Sequence, residues 1–244
     1  MIPLKDDTPH YSAPLITLFL IAANLAVFLF QISLGHRAQA AFIDSFGLVP
    51  AHLWSGLGLG AAPLHGHLHA ATESAWLALL PVVTSMFLHG GWWHIIMNMW
   101  FLWVFGRNVE EALGHFPYLL FYLTCGVLAA LAQVLAGPTS QVPTVGASGA
   151  IAGIMGSYFV LYPRARVLML VPFLFIFFLW LPAWVVLGYW FVLQFLSAVG
   201  TSLVAGGQDT GGVAFWAHIG GFAAGYYLVR LFPVRLRRYG YGYD

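Results

Sequence analysis

Between Ala13 and Leu34 (APLITLFLIAANLAVFLFQISL) the chain carries no charged side chain, and comparable apolar runs recur to its C-terminus. As a helix, a run of this length crosses the roughly 30 Å hydrocarbon layer of a bilayer. Hydrophobic residues make up 61% of the chain and charged ones 7%, where an average soluble domain is roughly 25% charged. A mean hydropathy of +0.84 over 244 residues cannot be hidden in a water-soluble globule, much of whose surface must be polar. The chain therefore reads as an all-α polytopic membrane protein whose immediate partner is membrane lipid. A transmembrane barrel would alternate in short segments instead of staying apolar for a whole span. Nine Lys and Arg against eight Asp and Glu give no basis for nucleic-acid binding. The single cysteine, Cys125, excludes an intramolecular disulfide.

The runs divide the chain into an N-terminal tail (1–12), a six-helix domain (13–232) and a C-terminal tail (233–244). The first span is Ala13 to Leu34, too long for a signal-peptide core. A long outer loop, 35–83, mixes apolar patches with Gly, Pro and five His, and is expected to hold amphipathic half-helices at the membrane surface. Further spans follow at Met86–Val104, Phe116–Ala136, Gly146–Tyr162, Leu181–Ala198 and Val213–Phe232. Gly106 to His115 reads as a short charged turn. Val167 to Gly200 is too long for one span, and Pro172 and Pro182 divide it into a partly inserted segment followed by the fifth helix. With the N-terminus in the cytoplasm, every Lys and Arg except Arg37 falls on the cytoplasmic side, as the positive-inside rule requires. This makes the chain a multi-pass protein of the cytoplasmic (inner) membrane with both termini inside.

The informative residues are those that are polar at membrane depth. His94 and Asn98, four apart, share one helical face and must point to the bundle interior or a wet cavity, since an unpaired amide facing lipid costs several kcal/mol. The alternative role is interhelical hydrogen bonding, which contributes roughly 0.6–2 kcal/mol to packing. Ser148 opens the fourth span within Gly146-Ala147-Ser148-Gly149, where small residues alone would serve close packing. Gly149 and Gly153 form one small-residue ridge, and Gly221 and Gly225 on the sixth span form another. Two such ridges packed together would bring the Ser148 hydroxyl within hydrogen-bond reach of His218 at matching depth. A serine and a histidine so placed make a nucleophile and a general base. The Ser148 backbone N–H and the side chains of His94 and Asn98 are then candidate oxyanion donors. No carboxylate lies within a span, so the arrangement is a Ser–His dyad, which needs no cofactor and no metal.

These residues resemble the rhomboid family of intramembrane serine proteases. The pattern comprises Phe87-Leu88-His89-Gly90-Gly91-Trp92-Trp93-His94 through Asn98, Gly106 with Glu110 and Gly114, Gly146-Ala147-Ser148-Gly149, and Ala217-His218-Ile219-Gly220-Gly221 through Gly225. Four motifs in order on successive helices are highly specific. The resemblance implies a six-transmembrane-helix rhomboid-like bundle, with Ser148 as nucleophile, His218 as base and acid, and His94 and Asn98 as oxyanion donors. It gives His89 and Glu110 structural roles, the latter in tying the cytoplasmic turn together. The implied substrates are single-span membrane proteins, cleaved near the outer face, with the fifth helix as a movable side entrance. Some rhomboids carry a tyrosine one turn after the serine, stacked on the histidine; here Ala152 stands there, so the orientation of His218 is left without a source.

Other classes fit less well. The run His65-Gly66-His67-Leu68-His69 prompts a metalloprotease, but no H-E-x-x-H motif is present. A transporter would carry repeated halves or a path of ionisable residues. A catalytically silent client-binding relative would lack Ser148 or His218, and this chain has both.

Overall fold

The computed structural model describes residues 2–57, 75–173, 175–204 and 213–234. The outer-loop histidines His65, His67 and His69, and the C-terminal tail from residue 235, lie outside them. In chain order the elements are β1 (Ile2–Asp6), α1 (Leu15–Ser33), α2 (His36–Phe46), α3 (Pro50–Gly56), α4 (Ala75–Thr84), α5 (Trp92–Phe101), α6 (Arg107–Leu113), α7 (His115–Ala136), α8 (Ser148–Leu161), β2 (Arg166–Phe173), β3 (Phe175–Pro182), α9 (Ala183–Val204) and α10 (Phe215–Leu228). The fold is helical, and α1, α7 and α9 are each long and apolar enough to cross a membrane.

Helix α8 is the centre. Every residue from Gly149 to Tyr158 is buried, which is why its sequence is apolar on all sides rather than amphipathic. At about 1.5 Å per residue, its 14 residues span only about 21 Å. A helix enclosed by protein need not match the thickness of the lipid.

Glycine decides how α8 meets α10. A Cβ on Gly221 would run into the carbonyl oxygen of Gly149, and one on Gly225 into that of Gly153. From the other side, a Cβ on Gly149 would come within 2.7 Å of Ala129 Cβ on α7. The two expected ridges are thus in register, and α7, α8 and α10 share one close-packed seam. Without a hydrophobic drive between helices in lipid, such backbone approach is a principal source of association.

Three segments depart from the sequence expectations. The N-terminal tail is not free: β1 pairs antiparallel with β2, Ile2 opposite Leu170 and Asp6 opposite Val167. Asp6 is buried and receives hydrogen bonds from the Tyr158 hydroxyl at 2.6 Å, from Arg107 Nη2 at 3.0 Å and from Asn108 Nδ2. The partly inserted segment before the fifth helix is a β-hairpin, β2 pairing with β3 from Arg166 opposite Pro182 to Phe173 opposite Phe175. Its aromatic and branched composition suits strands, while its unbroken apolarity hides a period of two. The charged turn after α5 is also helical: a π segment, Leu102–Gly106, leads directly into α6.

Glu110 on α6 caps α1 from a distance. Ile16 N–H donates to Oε1 and Thr17 N–H to Oε2, both at 2.8 Å, and the Thr17 hydroxyl donates to Oε2 at 2.7 Å. His115 Nδ1 lies 2.6 Å from Oε1. A carboxylate is suited to a helix N-terminus, whose first N–H groups have no partner within the helix. Glu110→Gln would turn an NH2 toward one of these donors. It is expected to lower stability by about 2–3 kcal/mol, the scale of hydrogen bonds to a charged group, read as a lower melting temperature in detergent.

Candidate active site

The seam brings Ser148, at the start of α8, against His218, one turn into α10. Ser148 Oγ lies 2.8 Å from His218 Nε2. The other ring nitrogen, Nδ1, lies 2.7 Å from Gln194 Oε1 on α9. Trp190, one turn before Gln194, covers the imidazole with ring centroids 5.7 Å apart at 38°. Gln133 on α7 steadies the start of α10 by accepting the Ala217 N–H at 3.2 Å.

Helix α5 brings His94 and Asn98 to the same place. The Gly90 N–H donates to His94 Nδ1 at 3.2 Å, so a neutral ring carries its proton on Nε2. That edge lies beside Gly146: a Cβ there would stand 2.8 Å from His94 Nε2 and 3.8 Å from Ser148 Oγ. Gly146 has φ of 124°, a conformation that glycine adopts readily and other residues rarely do. Its N–H donates to Ser85 O at 2.8 Å, which ties the serine loop to the segment leading into α5. One hydrogen of Asn98 Nδ2 goes to His94 O at 2.8 Å, leaving the second available.

Ser148, His218, His94 and Asn98 all line one cavity of about 670 Å³. Its rim includes Val142, Pro143 and Thr144 from the α7–α8 connection and Val213 before α10. It lies at the Ser148 end of α8, whereas the Asp6–Arg107 cluster meets the same helix ten residues further on, at Tyr158. No Asp, Glu, Lys or Arg is among the described residues that line it.

Apart from Gly149, the remaining residues singled out from the sequence lie outside the cavity wall or beneath it. His89 is fully buried, its ring 5.1 Å from that of His94 and edge-on to Phe28. Gln31 of α1 clamps its backbone, donating to His89 O at 2.7 Å and accepting its N–H at 3.2 Å. Glu110 is at the opposite end. Gly153, Gly221 and Gly225 form the seam that sets the Ser148–His218 distance, and Gly149 belongs to both seam and cavity. The sequence reading missed Gln194, Gln133 and Gln31. The signal was available, since an amide inside an apolar run is as costly to leave unpaired as the histidines are.

Fold and site together define a multi-pass helical membrane protein with a serine and a histidine paired across two helices inside one cavity. The Rhomboid domain model matches residues 76–234. The chain belongs to the rhomboid family. It is 30% identical over 150 residues to Rhomboid protein 1, mitochondrial, of Saccharomyces cerevisiae, a match covering 60% of this chain and 40% of that one. It is 46% identical over 72 residues to Rhomboid-like protein 11, chloroplastic, of Arabidopsis thaliana, covering 30% of this chain and 25% of that one. It is 31% identical over 128 residues to the Putative rhomboid protease YdcA of Bacillus subtilis, covering 50% and 57%. In each case the chain spans less than two thirds of the relative's length.

Proposed function

We propose that this protein is an intramembrane serine endopeptidase that cleaves single-span membrane proteins near the outer face of the cytoplasmic membrane. The observation that carries the reading is the 2.8 Å contact between Ser148 Oγ and His218 Nε2 within a cavity. Ser148 gives its proton to His218 Nε2 as Oγ attacks the scissile carbonyl, forming the C–O bond of a tetrahedral oxyanion. His218 then returns the proton to the leaving nitrogen as the C–N bond breaks. A water entering the cavity repeats the sequence on the acyl-enzyme, releasing the acid and restoring Ser148.

Three donors converge where the oxyanion forms. They are His94 Nε2–H, its proton held there by the Gly90 contact; the free hydrogen of Asn98 Nδ2; and the Ser148 N–H, which α8 leaves unpaired at its first turn. Asn98→Ala is expected to lower kcat about tenfold or more with KM little changed, since one oxyanion donor is worth about 10²–10³ elsewhere. Steady-state cleavage in proteoliposomes checks this.

The same reading gives six crossings (α1, α5, α7, α8, α9 and α10) with both termini cytoplasmic. The basic residues support it. Arg107 pairs with Asp6, the Arg166 N–H donates to Asp7 Oδ1 at 2.8 Å, and Lys5 lies over the Trp180 ring. All three therefore gather at the end of the bundle opposite the cavity, as inward-facing cations should. The test is labelling of the purified protein by a fluorophosphonate probe, together with cleavage of a panel of model single-span substrates. Absence of both would leave a catalytically silent, client-binding rhomboid.

A further inference from the structure

We infer that Gln194 is a positioning residue that holds the His218 ring in the tautomer and orientation required of the base. The inference rests on the Ser–His dyad proposed above. Gln194 Oε1 can only accept, so the proton shared across the 2.7 Å contact belongs to His218 Nδ1. The neutral ring then turns its Nε2 lone pair on the Ser148 hydroxyl at 2.8 Å, the one arrangement in which it can take that proton. In the other tautomer the Nδ1 lone pair would face the Gln194 carbonyl oxygen, two acceptors in contact.

Among the described residues, no other side chain hydrogen-bonds His218 Nδ1. Helix α8 presents only Ala152 one turn beyond Ser148, and that residue is buried. Among the described residues lining the cavity, the sole titratable side chain besides His218 is His94 on α5, which is held by Gly90. Orientation comes from α9 instead. Trp190 and Gln194 are four apart and share one face, the tryptophan covering the ring and the amide fixing its edge. Ala183, Leu187 and Ala198 continue the same buried stripe, so the face that carries these two residues is the one α9 turns to the bundle. Elsewhere α9 is the loosest of the three long helices, with 17% of its most apolar stretch buried against 39% for α7. A polar residue on its inner face is thus a local feature of the site rather than part of a buried polar network.

The test compares wild type, Gln194→Leu and Gln194→Glu in proteoliposomes. It measures kcat and KM on a model single-span substrate, the rate of fluorophosphonate labelling, and melting in detergent. Leucine removes the acceptor but suits an apolar helix. It is expected to lower kcat and labelling about 10- to 100-fold, at or below the smallest contribution of about 100-fold typical of a positioned base, with KM and melting unchanged. Glutamate restores an acceptor at the same reach and is expected to recover most of that loss. Equal impairment of both variants with lowered melting would reduce Gln194 to a packing residue and overturn the inference. A leucine variant as fast as an active wild type would also overturn it, leaving the dyad intact. A wild type that neither labels nor cleaves would overturn the dyad and this inference together.

Discussion

Ser148→Ala is expected to abolish cleavage of single-span substrates and all fluorophosphonate labelling, while the protein still folds and melts as a single species. The Ser148 side chain does not cap α8, and its hydroxyl contributes the one contact with His218. Its removal therefore leaves the seam of α7, α8 and α10 in place. His218→Ala is expected to be equally inactive, and the double variant no worse than either. Nucleophile and base act as a unit, and in a soluble serine protease the loss of either alone costs about 2 × 10⁶ in kcat, nearly as much as losing both. Rates that fell additively would point to two independent contributions rather than one dyad. Purified Ser148→Ala that still cut the substrate at the same bond would identify a different nucleophile.

The second large effect comes from the seam. In Gly221→Ala the new methyl would meet the carbonyl oxygen of Gly149, and in Gly225→Ala that of Gly153. Both obstacles are backbone, so neither clash is relieved by a side-chain rotation, and α8 and α10 must part. Overpacking of this kind costs about 1–3 kcal/mol, occasionally more, which predicts a clear fall in melting temperature for both variants. Their catalytic effects should differ. Gly221 is three residues from His218 and faces the residue that follows Ser148, so displacement there opens the dyad itself. A misplacement of about 1 Å is worth roughly 100-fold in rate. Gly225 lies one turn deeper and is expected to lose stability more than turnover at a temperature where it remains folded. Gly200→Ala on α9 is the control: nothing stands within 4 Å of the added methyl. It should be neutral, or stabilising by up to about 1 kcal/mol through helix propensity. Equal melting temperatures for all three would show that the glycine contacts do not hold the bundle.

Much of the helical architecture was legible because hydropathy and helical period act locally. The runs around Ala13–Leu34 and Phe116–Ala136 correspond within a few residues to α1 and α7, and the i, i+4 pairing of His94 with Asn98 follows from helix geometry alone. The N-terminal tail and the hairpin were illegible for different reasons. Strand β1 exists only because β2, more than 150 residues later, offers it an edge. Asp6, a charge in an ordinary-looking polar tail, is buried because Tyr158, Asn108 and Arg107 converge on it. The β2–β3 hairpin is apolar on both faces, leaving no alternation to read, and β3 exposes Ile176, Phe178 and Trp180.

By itself the sequence determined that the chain is a helical membrane protein, which segments are apolar enough to enter lipid, and which polar side chains must find partners there. It also carried the rhomboid motifs in order. Only the tertiary structure decided that Ser148 and His218, 70 residues apart, meet at 2.8 Å, and that a glutamine on a third helix holds the far side of the same ring. Periodicity assigns each residue a face and a depth on its own helix. The distance between two helices is set by the backbone contacts of Gly149 with Gly221 and Gly153 with Gly225, and those contacts exist only once the helices have packed.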